Sequence, residues 1–137
     1  MEEVVHAHGH EHVAATHEST FEVTTDDWLT PAGDCIVGIE ADRAPTDFDD
    51  DFVAACRDPG ATITLTLETA DVSQQVRARG HPDLTFESDR SAVVRTSTYV
   101  DDRTVAVGAD AAAADLDRDL VDALADGAAL TVTLSVE

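Results

Sequence analysis

Residues 5–17, VHAHGHEHVAATH, hold five of the six histidines of the chain. Four of them, His6, His8, His10 and His12, occupy alternate positions. On a β-strand, side chains two apart leave the same face about 6.6 to 6.8 Å from one another, so His6 and His8 could share a zinc or iron ion given a third ligand from elsewhere. A second copy of the stretch limits that chemistry. VHAHGH at 5–10 recurs 71 residues later as VRARGH, with Arg77 and Arg79 where the first copy has His6 and His8. Arginine does not ligate metal, so this face reads as solvent or a cleft wall, and no metal or other cofactor is expected. His10 and His81 each follow a glycine, Gly9 and Gly80, at the end of a strand. There an imidazole is expected to satisfy backbone groups at a turn, which makes these four residues structural.

Other candidates lie further along. His17 sits among Thr16, Glu18, Ser19 and Thr20, where it is either an acid–base group near neutral pH or a hydrogen-bonded surface residue. Cys35 follows Gly33 and Asp34 at a strand start. It is either a nucleophile, oriented by Asp34 and activated if the Arg103 guanidinium lies beside it, or a small buried apolar residue. Cys56 aligns with Leu124 and reads as core. Arg95 and Arg103 either hold a small anionic ligand, with Ser97, His17 and Thr20 as further polar contacts, or pair with Asp101, Asp102 and Glu22.

The charge balance restricts the class of partner. Among 137 residues there are 29 acids and 8 cations, all arginine, for a net charge of -21. The acids are spread through a chain that is 43% hydrophobic, so the sequence is expected to fold as one domain, 1–137, and not to form an acidic tail. Acid in excess with no lysine is the composition expected in a cytoplasm of molar salt, where the Debye length is about 3 Å and self-repulsion is screened. A halophilic source and a cytoplasmic location follow as expectations. Two cysteines without framework spacing fit a reducing compartment, and no leader or membrane-span pattern is seen. Nucleic acid is an unsuitable partner for this charge and 4% aromatic content, and neither phosphate-cradling glycine motif occurs. No protein partner can be named.

The chain reads as two repeats, about 3–69 and 74–137. After the first matched block, IEADRAPTDFDDDFVAACRDPGATITLTL at 39–67 aligns with VGADAAAADLDRDLVDALADGAALTVTL at 107–134, first 68 and finally 67 residues apart. Each repeat reads as β-β-β-α-β. Strands are expected at 4–9, 16–24 and 35–39, and at 76–80, 91–99 and 103–107, followed by helices at 49–57 and 115–125. Each repeat closes with a half-buried strand, carrying Ile63, Leu65 and Leu67 or Leu130, Val132, Leu134 and Val136 on one face. The expected fold is mainly β with two helices, α+β by content: an internally duplicated β-sandwich or barrel-like domain whose halves are related by a pseudo-twofold.

Three stretches, GHEHVAATHESTFEVT at 9–24, LTPAGDCIVGIEAD at 29–42 and VVRTSTYVDDRTVAV at 93–107, resemble the archaeal domain of unknown function 371 family. The resemblance spans essentially the whole chain. It implies archaeal origin, a compact β-rich domain of sandwich or jelly-roll type, and no established activity. The family's motif positions fall on Gly9, His10, His17, Thr20, Glu22, Gly33, Asp34, Cys35, Arg95, Ser97 and Arg103. His12 stands where the family usually has Asn, and Thr96 where it has Lys, in keeping with the removal of every lysine. Three classes of function remain open: a module binding a small anionic ligand between the halves, a small enzyme using His17, Asp34 and Cys35, or a structural or interaction subunit.

Overall fold

The computed structural model describes residues Met1–Glu137. Its elements are β1 (Glu2–His8), β2 (Thr20–Thr24), β3 (Ile36–Gly38), α1 (Asp50–Cys56), β4 (Thr62–Glu68), β5 (Ser73–Arg79), β6 (Ser91–Arg95), β7 (Thr104–Ala106), α2 (Arg118–Ala125) and β8 (Ala129–Val136). The fold is mainly β, with two helices and two four-stranded sheets. The first sheet runs β1-β8-β4-β5 and is antiparallel throughout. In the second, β3-β2-β6-β7, the central pair β2 and β6 is antiparallel and each outer strand is parallel to its neighbour.

Alternation decides which face is buried. In β4, Ile63, Leu65 and Leu67 point into the core while Thr62, Thr64 and Thr66 point out, and β8 repeats the pattern. Val5, Leu65, Val132 and Leu134 of the first sheet meet Phe21, Val23, Val94 and Val105 of the second across the interior. β-Branched residues suit such pleated, half-buried strands. Single bridges, His8 to Ile39 and Arg79 to Val107, tie the outer strands of one sheet to segments just beyond the outer strands of the other. The sandwich is thereby partly closed toward a barrel. No helix is long and apolar enough to cross a membrane.

Asp49 and Asp117 cap the helices by accepting from the backbone N–H of Asp51 and Asp119, at 2.8 and 2.9 Å. Phe52, Val53 and Cys56, and Leu120, Val121 and Leu124, form the buried stripes. Each helix ends against a glycine from the other part of the chain. A Cβ at Gly9 would collide with the Leu124 carbonyl, and one at Gly80 with the carbonyls of Cys56 and Asp58. The Gly9 N–H donates to Ala128 and the Gly80 N–H to Ala61.

Two boundaries differ from expectation. The extended segments 16–24 and 91–99 contain shorter strands, Thr20–Thr24 and Ser91–Arg95. Before β2 the chain turns at Ala15, with φ 49°, and the N–H groups of Thr16 and His17 bond to the Asp34 carbonyl and to no strand. The second helix begins at Arg118, not Asp115. Residues Ala113–Asp115 form a separate 3-10 turn, Leu116 is extended, and Asp117 restarts the helix as its cap.

Candidate functional site

The outward face of the second sheet carries the candidates. Thr20, Glu22 and Thr24 of β2 point away from the core, opposite Arg95, Val93 and Ser91 of β6. Loops fold over this face, so Thr20, Thr24, Ser91 and Val93 are buried and the Glu22 side chain is only 12% exposed. Burial raises the Glu22 pKa, with the Arg103 guanidinium and the Ser91 hydroxyl partly opposing it. Arg103 Nη1 lies 3.7 Å from Glu22 Oε1, and the Cys35 thiol donates to the same oxygen at 3.9 Å.

A second carboxylate joins the two arginines. Asp101 Oδ2 accepts from Arg95 Nη2 at 3.0 Å and from Arg103 Nη2 at 3.1 Å. Burial of Asp101 works against ionisation. The side-chain and backbone N–H groups of Arg103, the Thr104 hydroxyl and the nearby Arg95 outweigh it and hold the carboxyl at about 2. Arg95 is fixed further by Nε donating to Thr104 Oγ1 at 2.9 Å and by the Tyr99 ring, 4.8 Å from its guanidinium.

On the other side of Glu22, His17 Nδ1 accepts from the N–H groups of Ser19 and Thr20, at 3.2 and 3.1 Å, and lies 3.2 Å from Thr20 Oγ1. That leaves Nε2 to carry the proton of the neutral ring. Cys35, Glu22, Arg103, Asp101 and Arg95 thus form one array of polar contacts across the sheet, and the His17–Thr20 pair lies on the same face beside it.

The expectation that a guanidinium would activate Cys35 is corrected here. The thiol bonds to the Glu22 carboxylate, and burial followed by that negative charge pushes its pKa up. A raised thiol is a poor nucleophile. Asp34 acts through its carbonyl, which accepts from Thr16 and His17, while Ser97 Oγ accepts from the Tyr99 N–H at 3.3 Å and stands apart from the array.

Beside Glu22 opens a cleft of about 500 Å³, walled by Trp28 and Ile36 and edged by Asp26, Arg90 and Arg103. Arg90 grips Asp26 through two nitrogens, at 2.8 and 2.7 Å. Five carboxylates and two guanidiniums line the cleft, since Glu87, Asp89 and Asp102 also face it. Trp28, the only tryptophan, is 54% exposed.

The remaining histidines lie elsewhere. His6 Nδ1 is 3.4 Å from the Thr131 hydroxyl and His8 Nε2 is 3.2 Å from Glu40. No three His, Cys, Asp or Glu side chains are grouped to hold a metal. His10 and His81 accept the backbone N–H two residues on, each at 3.0 Å. The sequence marks Glu22 and Asp101 as charge partners of Arg95 and Arg103, a pairing the structure shows, but not as ligand contacts, and it does not mark Trp28. Their signals were an acid in the middle of the strand TFEVT, an Asp two residues before an arginine, and an unpaired aromatic in a loop.

Residues 5–137 match the family described as "Domain of unknown function (DUF371)". An uncharacterised protein of the archaeon Methanocaldococcus jannaschii is 36% identical over 136 residues, covering 99% of this chain and 100% of that protein.

Proposed function

The chain belongs to the archaeal domain of unknown function 371 family, and on that footing we propose that it binds a small molecule on the outward face of its second sheet. The reading is carried by the cleft in which the shielded Glu22 carboxyl, the Arg103 guanidinium and the exposed Trp28 ring face one space. Arg95 is bound to Asp101, Thr104 and Tyr99 and its side chain is 11% exposed; Arg103 also bonds to Asp101, but its side chain is 49% exposed and lines the cleft, which makes it the cation placed to meet an anionic group. Carboxylates outnumber guanidiniums around it, and a ligand anion at Arg103 must be balanced by a donor group that answers Glu22. A zwitterionic molecule with a flat apolar part for Trp28 meets all three demands.

The test is native mass spectrometry of protein purified in molar KCl, followed by thermal-shift titration with free amino acids as zwitterionic probes. We expect a retained mass or a probe that raises the melting temperature. Arg103→Ala should then weaken binding by roughly 10- to 150-fold, the equivalent of about 1.5 to 3 kcal/mol for a charge-assisted hydrogen bond, while the free protein stays folded and loses only about the 1 kcal/mol expected for its pair with Asp101. Unchanged affinity in Arg103→Ala, or loss of the fold, would assign the arginine to the scaffold.

We also propose that the cleft belongs to one internally duplicated domain with a pseudo-twofold between β2 and β6. Recurring local geometry supports this reading. Ala15 and Phe86, 71 residues apart, both have positive φ, as do Glu40 and Gly108, 68 apart. Asp42 N–H donates to the His6 carbonyl as Asp110 does to Arg77, and Glu22 N–H to Cys35 as Val93 does to Arg103. On this reading Glu22 and Val93, directly opposite in the sheet, are equivalent positions, and the ligand site arose from a symmetric surface by divergence of one half. The acid-rich, lysine-free surface supports adaptation to a salt-rich cytoplasm.

A further inference from the structure

The outward face of the first sheet departs from the rest of the surface. Sixteen side chains of β1, β8, β4 and β5 point outward there, and only Glu2 and Glu68 are acidic, in a chain with 29 acids. The middle of the face is hydroxyl: Thr62, Thr64 and Thr66 beside Thr131, Thr133 and Ser135. Threonine alone is explained by its preference for strands. Strand preference also lowers the acid content, and what it leaves unexplained is the charge that remains: exposed cations on one edge strand and a carboxylate on the other. Arg77 and Arg79 on β5 are exposed, and neither makes a salt bridge.

Register supplies the complement. Glu2 pairs with Ser135, Ser135 with Thr64, and Thr64 with Arg77, so one row across the sheet runs from a carboxylate on β1 to a guanidinium on β5. The next row is Val4, Thr133, Thr66 and Gln75. A twofold axis lying along the strands, between β8 and β4, sets a second copy face to face with each row reversed. Glu2 of either copy then meets Arg77 of the other, and hydroxyls meet hydroxyls between them. We propose that this face is where two copies of the chain associate. Four strands about 4.8 Å apart and seven residues long cover roughly 450 Å² per copy, which places the contact at the small, weak end of specific interfaces. Because the acid-rich faces stay in solvent, association needs salt to screen the repulsion between two chains of -21 each.

Sedimentation of the full chain in 2 M KCl tests the proposal. We expect dimer with a dissociation constant on the order of 10 µM. Arg77→Glu or Glu2→Arg should each weaken it roughly tenfold, and the two substitutions together should restore it, because the pair is merely reversed. Thr66→Asp places an unpaired charge in the centre of the face and should leave monomer with an unchanged melting temperature. Monomer at 200 µM wild-type protein overturns the proposal. So does a dimer indifferent to Thr66→Asp, which would use another face, or a double substitution that fails to recover.

Discussion

Glu22 and Asp101 lie on either side of Arg103, and their environments move them in opposite directions. The Asp101 carboxyl is held at about 2 against an ordinary value of 3.8, so its contribution to stability is complete above 3.8 and is lost as pH falls through about 2. Glu22 is raised above 4.5 by burial, so the stability linked to it is present below 4.5 and is lost as pH rises through its folded value. Asp101→Asn should therefore lower stability at pH 7, by about 1 kcal/mol once solvent and salt screening are allowed for, and flatten the acid limb. Glu22→Gln should instead remove the decline on the alkaline side. Urea denaturation from pH 2 to pH 8 at fixed KCl checks both, and a Glu22→Gln profile parallel to wild type would remove Glu22 as the group responsible. At this scale the sequence was half legible. His17, Thr20, Cys35, Arg95 and Arg103 were already candidates, and the structure links the last three through Glu22 and Asp101 while His17 bonds to Thr20. That linkage depends on which strands are neighbours: Arg103 reaches Glu22 across β6, which lies between β7 and β2.

At the level of elements, each helix stops where a glycine from the other part of the chain leaves no room for a side chain. Gly9→Ala or Gly80→Ala drives a methyl into the carbonyls that end α2 or α1, and backbone cannot step aside as a side chain can. Each should cost roughly 3 kcal/mol or more, against about 1 kcal/mol for removing a cap by Asp49→Ala or Asp117→Ala. Thermal or chemical denaturation ranks the four, and a Gly9→Ala loss no larger than a capping loss would mean the strand end can shift. Alternation and four-residue spacing marked eight strands and two helices correctly in kind, because those periods reflect which face is buried. They misplaced the start of α2 for the same reason. Leu116, Leu120 and Leu124 are all buried at helical spacing, but Leu116 lies in extended backbone between a 3-10 turn and the Asp117 cap. The same holds for Phe48 ahead of α1. A buried position reports depth, not the backbone that delivers it.

For the molecule as a whole, charge sets the conditions under which all of this holds. Carboxylates facing one another across loops and helix starts repel at 0.01 M salt, where the Debye length is about 30 Å, and little at 1 M, where it is about 3 Å. The melting temperature should rise steeply with KCl, and a flat profile between those limits would refute the halophilic reading. The strand order of the first sheet bears on another stage of the protein's life, its synthesis. β8 lies between β1 and β4, with Glu2 opposite Ser135, so the first strand of this sheet to be made must wait for the last of the same sheet. At 5 to 20 residues per second that delay is on the order of 10 s, during which β1 and β4 have an apolar face and an open edge but no shared partner. A nascent chain stalled before residue 129 would hold β1 on one side and the β4–β5 pair on the other without the strand that joins them, a species for chaperones to guard and not a shorter version of the fold.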